Sequence, residues 1–114
     1  MASASRLPAD VLISEYADDP DIGTILDEFI DGLVAQVEDM RQWLAQAKFS
    51  DLQRGAHRIK GSGGGYGYPV LTEAARSLED AAKARDYPTA AAGMERVAAL
   101  CQAIQRGRNR AVST

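Results

Sequence analysis

The sequence lacks the features that mark several classes of protein. Cys101 is the only cysteine among 114 residues, so no internal disulfide can form and a reducing compartment is expected. No apolar run approaches the roughly 20 residues that a membrane span requires, and residues 1–8 are not followed by the apolar stretch of a signal peptide. The formal net charge of −3 argues against general nucleic-acid binding, which relies on basic patches. We therefore expect a cytoplasmic protein that contacts neither membrane nor nucleic acid.

Ligands for a metal or a cofactor are equally scarce. His57 is the only histidine, and with one cysteine the chain cannot supply the usual ligand set of a zinc site. The chain has a glycine run, but this run lacks the Gly-x-x-x-x-Gly-Lys-Ser/Thr spacing of a phosphate-cradling loop and does not follow a strand. We therefore expect neither a metal site nor a cofactor.

Aromatic residues make up only 6% of the chain, whereas alanine and leucine are abundant, and this mixture favours helix over sheet. No segment alternates apolar and polar residues over the length of a strand. Apolar residues instead recur at three- and four-residue steps in four stretches, the pattern of amphipathic helices. The longest stretch runs to about Ala47, and its apolar stripe is Ile22, Leu26, Phe29, Leu33, Val37, Met40 and Leu44.

Helix boundaries can be read from capping and turn residues. Asp19 can cap the first long helix, with Pro20 in its first turn, and Ser50 with Gln53 suggests a capping box for the second. The third helix is expected to begin near Pro69, and the fourth after the turn at residues 86–88. Short connections between four such helices predict an all-α, up-down four-helix bundle. A short extra helix, or a lid over one end of the bundle, is expected at residues 7–16. The chain is expected to form a single domain whose core spans about residues 15–106 and whose ends, 1–6 and 107–114, are flexible.

The second helix contains a segment that a purely structural helix would not favour. Five glycines fall between Gly61 and Gly67, and each one inside a helix costs about 1 kcal/mol relative to alanine. Such a cost is tolerated where another group must approach the backbone closely. Helical geometry places Leu52, Ile59, Gly63 and Tyr66 on the core side, away from His57.

The opposite face of this helix gathers residues that suit a docking surface. At about 100° per residue, the positions within about 60° of His57 are Gln53, Arg54, Lys60, Gly61 and Gly64. The histidine is thus expected to face solvent, beside an ammonium group and a strip of nearly bare backbone. Imidazole has a reference pKa of about 6.5 and is nucleophilic near neutral pH. Phosphoryl transfer needs mainly positioning and charge stabilisation, which a nearby lysine can provide.

The segment from His57 to Gly64, followed by Gly67 and Leu71, resembles the signature of histidine-containing phosphotransfer (HPt) domains. The resemblance covers about residues 15–105. It implies that His57 is phosphorylated through Nε2, that Lys60 steadies the phosphoryl group and that Gly61 is the small residue needed for docking. It also implies that Glu79 hydrogen-bonds the other imidazole nitrogen, fixing the tautomer. The surface that meets the partner is expected to comprise Gln53, Arg54, Arg58, Gly61 and Gly64.

The same resemblance implies a role as a phosphorelay carrier. Its expected partners are response-regulator receiver domains and a hybrid histidine kinase, and any Mg²⁺ used in transfer would belong to the receiver. Histidine kinase dimerisation helices carry an acidic residue after the histidine and a proline several positions later, where this chain has Arg58 and Ser62. With no room for an ATP-binding domain, we expect a monomeric carrier without kinase activity. A helical adaptor that docks on a receiver or kinase without being phosphorylated is the alternative.

Overall fold

The computed structural model describes residues 11–112, with side chains described for residues 11–108. Its helical elements follow one another through connections of only a few residues, and the described part of the chain contains no strand. The elements are α1 (Gly23–Ala45), α2 (Phe49–Gly63), a 3₁₀ turn (Gly64–Tyr66), α3 (Pro69–Lys83) and α4 (Tyr87–Val112).

Each helix packs against its neighbours in the chain, and α1 closes the arrangement by packing against α4. The most extensive contact joins α2 and α3, the two helices on either side of the glycine run. Connections this short place consecutive helices antiparallel. The predicted all-α four-helix bundle is confirmed.

The core lies between the four helices and is built from the predicted apolar stripes. Small side chains are frequent among the buried residues of α2 and α3: Ala56 on α2, and Ala74, Ala75, Ala81 and Ala82 on α3. The residues with at most 1% of their surface exposed include Leu33, Met40, Leu52, Ala56, Ile59, Leu71, Ala75, Leu78, Met94, Val97 and Ile104. The predicted inward face of each helix is thus the face that is buried.

The ends of α2 differ in part from the prediction. No side chain caps its start, because the helix already begins at Phe49, with Lys48 at the N-cap; the predicted capping box of Ser50 and Gln53 is therefore wrong. At the other end the glycine run changes the helix type to a 3₁₀ turn, and the chain leaves it at Gly67 with φ of 88°. Glycine readily adopts this left-handed conformation.

The predicted short N-terminal helix is not found in the described residues. Residues 7–10 lie outside them, and residues 11–22 form turns and backbone without regular secondary structure. The reason is that this segment gives its hydrogen bonds to other elements: the Leu12 N–H donates to the Ala103 carbonyl at 2.9 Å, and the Glu15 N–H donates to the Gly67 carbonyl at 3.0 Å. The start of α1 is likewise later than predicted, because Asp19 caps a turn by accepting from the Asp21 N–H at 2.9 Å.

Residues 107–114 are predicted to be flexible; within the described residues, α4 continues through most of this stretch to Val112. Gly107 is buried against the N-terminal segment, and a Cβ atom placed there would lie 1.7 Å from the Leu12 carbonyl oxygen. Arg108 forms an ion pair with Asp31 on α1 at 2.9 Å. The last turns of α4 are therefore held by contacts that are distant in sequence.

The contact at Gly107 generates a prediction. Gly107→Ala should destabilise the protein by about 1–3 kcal/mol, because the backbone of residues 11–15 must move away from α4. Gly61→Ala is the matched control: nothing lies within 4 Å of a Cβ at that position, so alanine should add up to about 1 kcal/mol of stability through helix propensity. Urea denaturation measures both changes. Equal effects of the two substitutions would show that the N-terminal segment does not pack against Gly107.

Candidate functional site

The histidine of α2 faces solvent, as predicted. The His57 side chain is 67% exposed, while Leu52 and Ile59 on the opposite face of the same helix are fully buried. Tyr66, predicted on the core side, is half-buried and stacks on Phe29 with ring centroids 4.3 Å apart. The geometry therefore leaves the imidazole open to an incoming group.

A carboxylate from the neighbouring helix anchors this exposed ring. Glu79 on α3 places Oε2 2.8 Å from Nδ1 of His57, and its other oxygen, Oε1, lies 2.7 Å from Nζ of Lys60. The Glu79 side chain is only 7% exposed, whereas the Lys60 side chain is 28% exposed. One buried carboxylate thus holds both functional side chains of α2.

The charge state of this carboxylate follows from its two donors. The hydrogen bond from Lys60 lowers the pKa of the Glu79 carboxyl below its ordinary value of 4.5; burial acts in the opposite direction, and the hydrogen bond with His57 lowers the pKa further. Glu79 is therefore ionised at neutral pH. Its charge is balanced by the Lys60 ammonium, which is how proteins accommodate a buried charge.

The ionised carboxylate determines which imidazole nitrogen is nucleophilic. A carboxylate can only accept hydrogen bonds, so Nδ1 of a neutral His57 must carry the proton that it donates to Glu79. The lone pair then resides on Nε2. Within the described residues Nε2 makes no hydrogen bond, and the exposed ring makes this nitrogen accessible.

The predicted partner-binding residues are distributed around the ring. A shallow depression beside His57 is lined by Gln53, Arg54, Arg58 and Glu79. Arg54 is exposed and paired with Asp51, and Arg58 is exposed as well. The depression therefore brings three of the predicted docking residues together with the histidine.

The two glycines predicted for docking have different surroundings. Gly61, one turn beyond His57, is exposed, with nothing within 4 Å of a Cβ placed there. Gly64 is half-buried, and its N–H donates to the Thr72 hydroxyl at 2.7 Å. Open access thus exists at Gly61, whereas Gly64 is occupied by a contact with α3.

Sequence reasoning missed Thr72, which contacts the glycine-rich end of α2 from the next helix. A signal was available: Thr72 precedes Glu79 by seven residues, two turns of a helix, which places both on the same face of α3. This face meets α2.

Comparison with known protein families identifies the class of protein. The Hpt domain family model matches residues 24–107, well over half of the chain, and the chain belongs to this family. Comparisons with curated proteins and with solved structures gave no match. Hpt domains are helical bundles that carry phosphoryl groups on histidine in two-component phosphorelays and are not kinases. Among the described residues, no helix is long and apolar enough to cross a membrane.

The lowered pKa of Glu79 predicts a pH-dependent contribution to stability. Since the folded protein favours the ionised carboxylate, this contribution is present above pH 4.5 and is lost as the pH falls through the lower pKa of the folded state. Glu79→Gln should cost about 2 kcal/mol at pH 7, and the difference from the wild type should shrink in acid below pH 4.5. Chemical denaturation at several pH values measures this.

Glu73→Gln is the control for this experiment. Glu73 lies on the same helix, is exposed and pairs with Arg76 on the surface, so its replacement should change stability by less than about 1 kcal/mol. A constant difference between wild type and Glu79→Gln from pH 7 into acid would contradict the assignment of an ionised, anchored carboxylate.

Proposed function

We propose that the protein accepts a phosphoryl group on Nε2 of His57 from the aspartyl phosphate of a receiver domain and passes it to a second receiver domain. The observation that carries this proposal is the orientation of His57: its Nδ1 is held by a buried carboxylate, while the exposed Nε2 has no partner within the described residues. A hybrid histidine kinase that contains a receiver domain is a further candidate donor. We propose that the carrier acts as a monomer.

The transfer requires little chemistry from the protein. The Nε2 lone pair forms the new N–P bond as the bond between phosphorus and the aspartate oxygen breaks, and the aspartate leaves as a carboxylate. Nδ1 keeps its proton throughout, so the phosphorylated ring is cationic and is stabilised by the Glu79 carboxylate at 2.8 Å. Breakage of the N–P bond reverses this step when a second aspartate attacks.

The surroundings of His57 support docking of another protein. Lys60 retains partial exposure while paired with Glu79, so its ammonium can turn towards the phosphoryl oxygens when they arrive. Gly61 leaves the backbone open on the same face. We propose that Gln53, Arg54 and Arg58 contact the receiver around the depression that they line.

Labelling tests the proposed carrier role. Incubated with a phosphorylated receiver domain, the wild type should take up acid-labile phosphate, and His57→Gln should take up none because the chain has no other histidine. The exposed position of His57 means that the variant should keep its fold, as circular dichroism can check. Docking of both proteins without labelling of either would favour the adaptor alternative.

A second prediction concerns access at Gly61. Gly61→Gln should preserve the fold, because the position is open, and should slow phosphoryl transfer at least about 10-fold by keeping the receiver from the imidazole. Gly65→Gln is the matched control, since Gly65 is equally open but lies four residues further along the chain. The measurement is the rate of label uptake from a phosphorylated receiver. Equal rates in both variants and the wild type would remove the role assigned to Gly61.

A further inference from the structure

The hydroxyl of Thr72 bridges two backbone groups of α2. It donates to the Lys60 carbonyl at 3.0 Å and accepts from the Gly64 N–H at 2.7 Å. These groups are four residues apart, the spacing that an α-helix joins by its own hydrogen bond. Thr72 therefore holds the final turn of α2 from outside, at the point where the helix changes to the 3₁₀ turn.

Thr72 can approach α2 this closely because Gly63 has no side chain. A Cβ at Gly63 would lie 2.8 Å from the Thr72 hydroxyl oxygen and 3.2 Å from the Thr72 backbone nitrogen. Any larger residue at position 63 would push α3 away or displace the hydroxyl. The glycine at this position thus serves helix–helix contact, in contrast to Gly61, whose surroundings are open.

Two polar contacts join α3 to α2, and they are separated by the same number of residues on each of the two antiparallel helices. Thr72 meets Gly64, and Glu79 meets His57; both intervals are seven residues, or two helical turns. Lys60 lies between these levels and is held at both ends, its ammonium by Glu79 and its carbonyl by Thr72. A shift of α2 along α3 would break both contacts at once.

We propose that Thr72 is a positioning residue for phosphoryl transfer: its hydroxyl fixes the register of α2 on α3 and thereby keeps Nδ1 of His57 on Glu79. The inference rests on the proposed function of His57 and extends it. Thr72 does not touch the reacting atoms, and it acts through the tautomer and orientation of the imidazole. Because misplacement of a reacting group by about 1 Å can cost up to about 100-fold in rate, loss of the hydroxyl should be visible in transfer.

The test compares Thr72→Val, which replaces the hydroxyl by a methyl group, with Thr72→Ser, which keeps it. Two readouts are used: the rate of label uptake from a phosphorylated receiver, and the imidazole ¹⁵N shifts in mildly alkaline solution, which report which ring nitrogen carries the proton. The single histidine gives one unambiguous set of signals. Thr72→Val should transfer roughly 10-fold more slowly and show a mixture of tautomers, while Thr72→Ser should retain wild-type behaviour in both.

Ser77→Ala provides the matched control, because the Ser77 hydroxyl lies on the exposed side of α3 and bonds only within that helix; it should change neither readout. If Thr72→Val fails to fold, Thr72→Ala replaces it. Failure of both to fold, with Thr72→Ser folded, would assign the hydroxyl to stability alone and overturn the positioning role.

The outcomes separate this inference from the function on which it rests. A wild type that takes up no label, although its ¹⁵N shifts show the Nδ1–H tautomer and Thr72→Val disturbs it, refutes the carrier role and leaves the positioning of the ring supported. A labelled wild type with unchanged rate and shifts in Thr72→Val refutes the role of Thr72 alone. Slow transfer in Thr72→Val that serine does not restore also counts against the hydroxyl.

Discussion

The rest of the site depends on one buried carboxylate shared between two donors. Burial of a charged group is costly unless it is paired and hydrogen-bonded, so Glu79 requires both His57 and Lys60 within reach. These residues are three positions apart on α2, and their side chains therefore project from the same face. The need to satisfy Glu79 constrains where α3 lies against α2, and it also fixes the proton of a neutral His57 on Nδ1. A single constraint thus sets both a packing arrangement and a chemical state.

The glycines of the run between Gly61 and Gly65 have different surroundings. The end of α2 and the 3₁₀ turn after it contain four glycines from Gly61 to Gly65, which have low helix propensity, and a close helix contact must offset part of that cost. Gly63 and Gly64 are packed against Thr72, which hydrogen-bonds the last turn of the helix, while Gly61 is open. The run therefore combines two requirements, close contact with α3 on one side and free access on the other. Gly63 lies about 200° around the helix from Gly61, whereas Gly64 meets Thr72 through its backbone N–H, at the point where the helix changes to the 3₁₀ turn.

The sequence predicted the parts of the structure that depend on local periodicity. The buried faces of all four helices, the exposure of His57 and the openness of Gly61 follow from the helical repeat. Glu79 was reached only through resemblance to a family, since nothing local distinguishes it from other glutamates on helices. The capping box at Ser50 failed because the helix begins one residue earlier, uncapped by any side chain. The path of residues 11–22 and the extension of α4 were missed because they depend on pairings such as Leu12 with Ala103, which are remote in sequence.

The distribution of buried and exposed groups explains how a reactive ring can be both accessible and well placed. An exposed side chain normally samples several rotamers, and fixing it costs conformational entropy. Here the contact that fixes the ring is on its buried edge. Nδ1 of His57 bonds to the Glu79 carboxylate, which is almost completely buried, while two thirds of the His57 side chain stays exposed. The carboxylate is in turn held by Lys60, whose backbone is held by Thr72. The α2–α3 contact thereby orients the imidazole. On the solvent-facing side, Nε2 makes no hydrogen bond within the described residues that a partner would have to break.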